Sequence, residues 1–163
     1  MEYWGMLVDS EETDSPVSRL SLHFPCDTYT QYPAACYRYI LRKIANELDA
    51  DTARLTKECL GLSGHSEWGC FHGLGAMNSR SVAAHPKQVM DLCQSGTFKD
   101  QVLCIEGVVE KMADFNEKQA LAVCAVLNGD HSKICRAAAK EKMYRLNKPT
   151  MPLYRGQESG GFD

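Results

Sequence analysis

The sequence predicts an all-α protein, an array of four to five antiparallel helix-turn-helix repeats stapled by disulfide bonds. Three observations predict this fold class: regularly spaced cysteines, apolar residues at helical spacing, and glycine-bearing turns between the helices. The chain has 163 residues, 44% hydrophobic and 24% charged. This balance is typical of a globular protein, and the length fits one ordinary domain or a short repeat array.

The eight cysteines form four sequential couples, each enclosing nine or ten residues. The couples are Cys26 with Cys36, Cys59 with Cys70, Cys93 with Cys104, and Cys124 with Cys135. Corresponding cysteines recur at steps of 31 to 34 residues. A period near 34 is typical of paired helices that stack as structural repeats.

Each repeat is predicted to hold a longer and a shorter helix. The longer helices are predicted over residues 33–48, 67–77 or slightly beyond, 99–115 and 132–146, and the shorter ones over 51–60, 86–93 and 116–126. In the third longer helix an apolar stripe recurs at three- and four-residue spacings: Val102, Ile105, Val108, Val109 and Met112. Asp51 and Asn116 are predicted N-caps, Asn116 and Gln119 fit a capping box, and Pro86 suits a first helical turn.

Glycines lie between the two cysteines of the later couples, for example Gly61, Gly64, Gly96 and Gly129. Each couple is therefore predicted to straddle a turn, with its cysteines on two adjacent helices. Such helices can bring Cα atoms within the 4.4–6.8 Å that a disulfide requires. Closing a loop of about 12 residues stabilises a fold by roughly 3 kcal/mol. Four disulfides predict a periplasmic, extracellular or other oxidising compartment.

Other uses of the cysteines fit less well. Structural zinc sites favour cysteines two to four residues apart, and the sequence has no Cys-x-x-Cys. The spacing of Cys26 and Cys36 resembles the twin-cysteine hairpins of the mitochondrial intermembrane space, where each couple lies along one helix rather than across a turn. Reduced, buried thiols are the remaining alternative.

The histidines offer a weak metal or haem site. Ligands would have to converge from His65, His72 and Met77, but Met77 follows His72 by five residues and so leaves its helical face. No arrangement of nucleophile, base or paired carboxylates rises above chance. We therefore predict no cofactor, no metal and no enzymatic activity.

A polar column stands two residues after the second cysteine of each couple, and its members are Arg38, His72, Glu106 and Ala137. A changing, mostly polar column predicts a solvated or groove-lining position, so Arg38, His72, Glu106 and the nearby Met77 form a candidate binding surface. The next column contains Gly73 and Gly107, whose small size predicts close helix approach. The preceding column, Tyr37, Phe71 and Ile105, is predicted to be core.

Charge and hydropathy exclude two partner classes. The net charge of −3 and the pI near 5.9 argue against nucleic acid, and no apolar run approaches the length of a membrane span. Residues 1–146 are predicted to form one repeat domain. Its first repeat is apparently truncated, because Gly5 precedes Tyr39 by one period. Residues 147–163 are predicted to be an irregular tail rich in proline and glycine.

The period, the helix pairing and the column of Gly73 and Gly107 resemble the tetratricopeptide and Sel1-like superfamily of helical repeats. The segment Lys118-Gln119-Ala120-Leu121 meets part of the tetratricopeptide consensus. Cysteine-rich Sel1-like proteins carry one disulfide per repeat, and the likeness implies an α-solenoid that binds proteins. We expect a non-enzymatic binding or scaffold module, an extrinsic subunit of a larger assembly. The alternatives are a redox or cofactor-carrying protein with haem or copper, and an enzyme acting on an extracellular substrate.

Mass spectrometry without reduction tests the cysteine framework. The expected mass is that of the reduced chain less eight hydrogen atoms, because all eight cysteines are paired. Peptide mapping should find only linkages between sequential cysteines. Free thiols, or links between distant cysteines, would contradict the prediction.

Overall fold

A computed structural model describes residues 22–28 and 31–141 of the chain. Regular secondary structure in these residues is entirely helical, which confirms the all-α prediction. The eight α-helices are α1 (Pro33–Leu48), α2 (Thr52–Leu60), α3 (Gly64–Met77), α4 (Ser79–Ala84), α5 (Val89–Cys93), α6 (Phe98–Ala113), α7 (Glu117–Ala125) and α8 (Gly129–Glu141), and a 3-10 turn over Pro86–Gln88 precedes α5. Among the described helices, none has the length and apolar character that crossing a bilayer requires.

Side-chain caps begin two of the shorter helices as predicted. Asp51 accepts a hydrogen bond from the Arg54 backbone N–H at 2.9 Å, and Asn116 accepts one from the Gln119 N–H at 3.2 Å. Each cap satisfies an amide that would lack a partner inside the helix. The Gln119 side chain does not complete the expected capping box, because the Asn116 backbone N–H donates to the Met112 carbonyl at 2.8 Å instead.

All four disulfides join the predicted couples. Their Cα–Cα distances are 5.3–5.5 Å, and every cysteine is at most 2% exposed. The chain turns into α3, α6 and α8 through glycines at positive φ, a conformation that other residues rarely adopt: Gly64 and Gly129 are the first residues of α3 and α8, and Gly96 lies just before α6. Each of these turns reverses the chain between two cysteines. Four intrachain disulfides indicate an oxidising compartment.

Glycines bring the longer helices into backbone contact. The contacting pairs are Gly69 with Ala34, Gly73 with Arg38, Gly107 with His72, and Gly75 with Cys104. A Cβ on Gly73 would lie 2.7 Å from the Arg38 carbonyl oxygen, closer than real Cβ contacts. Because positions along α1 and α3 pair in the same order, these two helices run parallel. The glycine column therefore allows close approach, as predicted.

The longer helices lie side by side in chain order. α3 packs most extensively against α1 and α6, and α6 also packs against α8. The shorter helices α2, α5 and α7 contact α3, α6 and α8. The predicted core column is buried at this contact, with Tyr37 4%, Phe71 1% and Ile105 0% exposed.

The structure differs from the sequence prediction at several helix boundaries and in one whole region, and it leaves both chain ends untested. Helix α3 begins at Gly64 and α8 at Gly129, each three residues before the predicted start, and α6 ends at Ala113 rather than 115. Helix α4 was not predicted, and the predicted helix 86–93 is divided into a 3-10 turn and α5. His85, directly before Pro86, has φ −136° and ψ 74°, because a residue preceding proline avoids the helical region. The apparent truncation of the first repeat, the end of the last helix at 146 and the tail 147–163 lie outside the described residues.

Replacement of Gly107 by alanine tests the backbone contact between α3 and α6. We expect Gly107→Ala to lower the free energy of unfolding by about 1–3 kcal/mol, because the new methyl group overlaps the His72 carbonyl. Chemical denaturation of the disulfide-bonded protein measures this loss. Gly61→Ala is the matched control, since a Cβ there lies 3.4 Å from the Glu58 carbonyl oxygen and 3.6 Å from that of Lys57, both ordinary contacts, and should cause no loss. Equal effects at the two positions would contradict the packing.

Candidate functional site

The predicted binding surface is largely buried. His72 is 0% and Glu106 3% exposed, and the side chain of Arg38 is 9% exposed. Met77 is partly buried and packs against the apolar core. The expectation of a solvated column is therefore wrong for Arg38, His72 and Glu106. The physical reason is the glycine contact, because Gly73 and Gly107 draw the helices together directly beside these polar positions.

Two members of this column meet a carboxylate that the sequence reasoning missed. Oε2 of Glu110 lies 2.9 Å from Nε2 of His72 and 3.6 Å from Nη2 of Arg38. Glu110 is 0% exposed. We call Arg38, His72 and Glu110 the buried ionic cluster; it joins α1, α3 and α6. The available signal was Glu106 and Glu110, two carboxylates one turn apart in the otherwise apolar stretch 102–110.

Burial decides the charge of His72. Its pKa is lowered by burial and by the Arg38 guanidinium, and the Glu110 carboxylate only partly opposes this. The neutral imidazole donates from Nε2–H to Glu110, because a carboxylate can only accept. Nδ1 then keeps its lone pair and has no hydrogen-bond partner within the described part of the chain. The cluster is thus one ion pair and one neutral histidine.

The candidate metal ligands lie in different surroundings. His65 is exposed, with its ring centroid 4.4 Å from that of Trp68. His72 is buried against Glu110, and Met77 packs on the core. In residues 22–28 and 31–141, no group of three or more histidine, cysteine, aspartate or glutamate side chains is placed to hold a metal ion.

Large exposed apolar side chains occur in all four disulfide-closed segments of the described chain. Each disulfide-closed loop carries one large exposed apolar residue: Tyr32 is 50%, Leu60 48%, Phe98 38% and Val126 39% exposed. These loops lead into α1, α3, α6 and α8, whose first residues lie at the same edge. We call these four residues the disulfide edge. The sequence contained this signal, since every cysteine couple encloses an apolar residue near its turn.

Contacts between neighbouring helix starts support the disulfide edge. The Lys99 ammonium lies 3.2 Å from the centre of the Trp68 ring and links α6 to α3. The ring centroids of Phe98 and His131 are 4.8 Å apart, and His131 Nε2 lies 3.1 Å from Gln101 Oε1, linking α8 to α6. Burial lowers the pKa of Lys99. These contacts join the starts of α3, α6 and α8.

Removal of the Glu110 carboxylate tests the buried ionic cluster. We expect Glu110→Ala to lower the free energy of unfolding by about 3–5 kcal/mol, because Arg38 loses a buried charge partner and His72 its acceptor. Glu47→Ala removes an exposed carboxylate that pairs with Lys43 at 3.4 Å and should change stability by less than about 0.5 kcal/mol. Urea denaturation at pH 7.5 measures both. A loss at Glu110 no larger than that at Glu47 would contradict the assignment.

No family model, curated protein or solved structure matches this chain. The tetratricopeptide and Sel1-like resemblance therefore stays a prediction from the sequence. The resemblance rests on the period of the cysteines and on the glycine column. In the described residues these cysteines form disulfides and these glycines make the close helix contacts.

Proposed function

We propose that this protein is a non-enzymatic binding or scaffold module that attaches to a protein partner through the disulfide edge. Its helices are proposed to form a short α-solenoid of four to five stapled repeats, working as an extrinsic subunit of a larger assembly in the periplasm or outside the cell. One observation carries the proposal: four large apolar side chains are exposed, one from each segment closed by a disulfide.

The arrangement of the exposed apolar residues favours a specific surface over chance exposure. Single apolar side chains scattered over a surface are ordinary, whereas a contiguous apolar patch marks an interaction site. Only Phe115, among the large exposed apolar residues of the described chain, lies away from the disulfide edge. Helices pack 8–10 Å apart, so a row over four helices extends about 24–30 Å. An extended segment of about eight residues covers this distance.

The disulfides make the disulfide edge suitable for binding. A loop closed by a buried disulfide loses little further conformational freedom when a partner binds. Less of the binding free energy is then offset by ordering the surface. Leu60 directly follows Cys59, and Phe98 lies midway between Cys93 and Cys104, so both side chains stand on covalently closed loops.

The surroundings of the buried ionic cluster favour a non-enzymatic role. His72 and Glu110 have the chemical groups best suited to general acid–base catalysis, but both side chains are 0% exposed. A substrate has to come within hydrogen-bond distance of such groups, directly or through one water molecule. In the described arrangement, backbone contacts between α3 and α6 lie beside them instead.

Site-specific crosslinking tests the proposal. A photoreactive phenylalanine analogue placed at Phe98 should crosslink the partner in the native source, whereas the same analogue at Phe115, which is 81% exposed, should not. Once identified by mass spectrometry, the purified partner should bind the Leu60→Ser/Phe98→Ser variant at least about tenfold more weakly, because central apolar contacts contribute more than about 1.4 kcal/mol.

Phe115→Ser is the control for this binding measurement and should leave the affinity unchanged. Both variants should retain the helical circular dichroism of the parent, because all three substituted side chains are exposed. Equal crosslinking from Phe98 and Phe115, or equal loss of affinity in the two variants, would contradict a role for the disulfide edge.

A further inference from the structure

The buried ionic cluster lies at the contact of α1 with α3 and α6, where a change in its charge alters how firmly α1 is held. We propose that this cluster makes the packing of α1 on α3 and α6 sensitive to pH: α1 is held near neutral pH and opens more often in acid. The proposal goes beyond the binding function and does not depend on it.

One carboxylate oxygen of Glu110 contacts side chains from both α1 and α3. Oε2 of Glu110 on α6 contacts Nε2 of His72 at 2.9 Å and Nη2 of Arg38 at 3.6 Å. Arg38 is the only member from α1, so the α1 side of this contact depends on the charge balance around Glu110. Solvent screens this balance weakly, because His72 and Glu110 are 0% exposed and Arg38 is 9% exposed.

Acid changes the net charge of the cluster. With neutral His72, the Arg38 and Glu110 charges cancel. A proton taken up by His72 leaves a net charge of +1 buried beside the Arg38 guanidinium. The new Nδ1–H would also be buried with no hydrogen-bond acceptor among the described residues.

The other charged groups on the helices packed against α3 do not cancel the positive charge that His72 gains on protonation. Glu106, 3% exposed, lies one turn before Glu110, whereas Arg38 and Glu110 are the charges that shift the pKa of His72. Asp100 is buried at the start of α6, where its Oδ2 accepts from the Thr97 N–H at 2.8 Å. The buried polar residues of α2 and α4 are the uncharged Thr56 and Ser79.

The direction of the pH effect follows from proton linkage. Burial and Arg38 lower the pKa of His72 below 6.5 in the folded protein. Between this lowered value and about 6.5, the open state binds more protons than the packed state. The stability of the packed α1 is therefore unaffected by protonation of His72 above about pH 6.5. Below that pH, protonation of His72 in the open state lowers this stability. One proton changes the opening equilibrium constant by up to about tenfold per pH unit.

Opening of α1 uncovers a defined surface. Gly69 and Gly73 of α3 contact the backbone of α1 at Ala34 and Arg38, so this face of α3 becomes accessible when α1 moves away. The Cys26–Cys36 disulfide keeps the start of α1 attached to the preceding turn. The movement is therefore a local opening on a covalent tether.

Hydrogen exchange of the full disulfide-bonded chain tests the proposal. Exchange of the α1 amides is measured at pH 7.5, 6.5 and 5.5 and divided by the intrinsic rate at each pH. We expect little change between pH 7.5 and 6.5 and a rise of up to about tenfold at pH 5.5. The amides of α8, which contributes no residue to the cluster, should stay within about twofold.

Two histidine variants separate the cluster from general acid effects. In His72→Gln the side-chain amide can still donate to Glu110 but cannot gain a proton, so the rise in α1 exchange should disappear. His85→Gln removes an exposed histidine and should keep the full rise. A direct NMR titration of His72 in the unmodified chain serves if His72→Gln does not fold; His72 should remain neutral down to a pH clearly below 6.5.

Several results would overturn the proposal. They are constant α1 exchange from pH 7.5 to 5.5, an unchanged rise in His72→Gln, an equal rise in α8, and titration of His72 at or above pH 6.5. An equal rise in α8 would mean that the whole molecule opens rather than α1 alone.

Discussion

The short covalent link between the first turns of each longer helix and the segment just before it is the constraint on which the other features depend. Each disulfide spans 10 or 11 residues and holds the two Cα atoms within 5.5 Å. This link places the starts of successive longer helices at one edge. Their glycine positions then fall beside the backbone of the neighbouring helix, as at Gly73 and Arg38. The apolar side chains of the disulfide edge are at the surface of this helix arrangement, and the buried ionic cluster is in its interior.

Local features of the chain were predictable because they depend on neighbouring residues. The Asp51 cap satisfies an amide three residues away, and the glycine turns reverse the chain within a single cysteine couple. The pairing of Cys59 with Cys70 follows from these local events, since it needs only a turn between two helices. Helix α1 was predicted with its observed bounds for the same reason, with Pro33 in its first turn and Asp49 in a left-handed C-cap conformation.

The candidate site was harder to predict because its geometry depends on residues far apart in the chain. His72 was expected at the surface, yet the backbone contact with Gly107 buries it. A single sequence displays the glycine but not the helix that it touches. Glu110 was missed for a related reason: it lies 38 residues from His72, one turn beyond the repeat column, and only the packing of α6 on α3 brings the two side chains together. Helix α4 depends on a break at Asn78, whose side chain binds the Leu74 carbonyl at 2.9 Å.

The spacing of the cysteines also bears on how the chain matures during synthesis. Eight cysteines can pair in 105 ways. In this protein the partner of Cys36, Cys70, Cys104 and Cys135 is in every case the nearest cysteine before it. The entropy lost on ring closure grows with ring size, so each correct bond is also the smallest ring that its second thiol can form. Oxidation can therefore proceed in step with chain emergence, and the second thiol of each couple then meets a single unpaired predecessor among the eight cysteines.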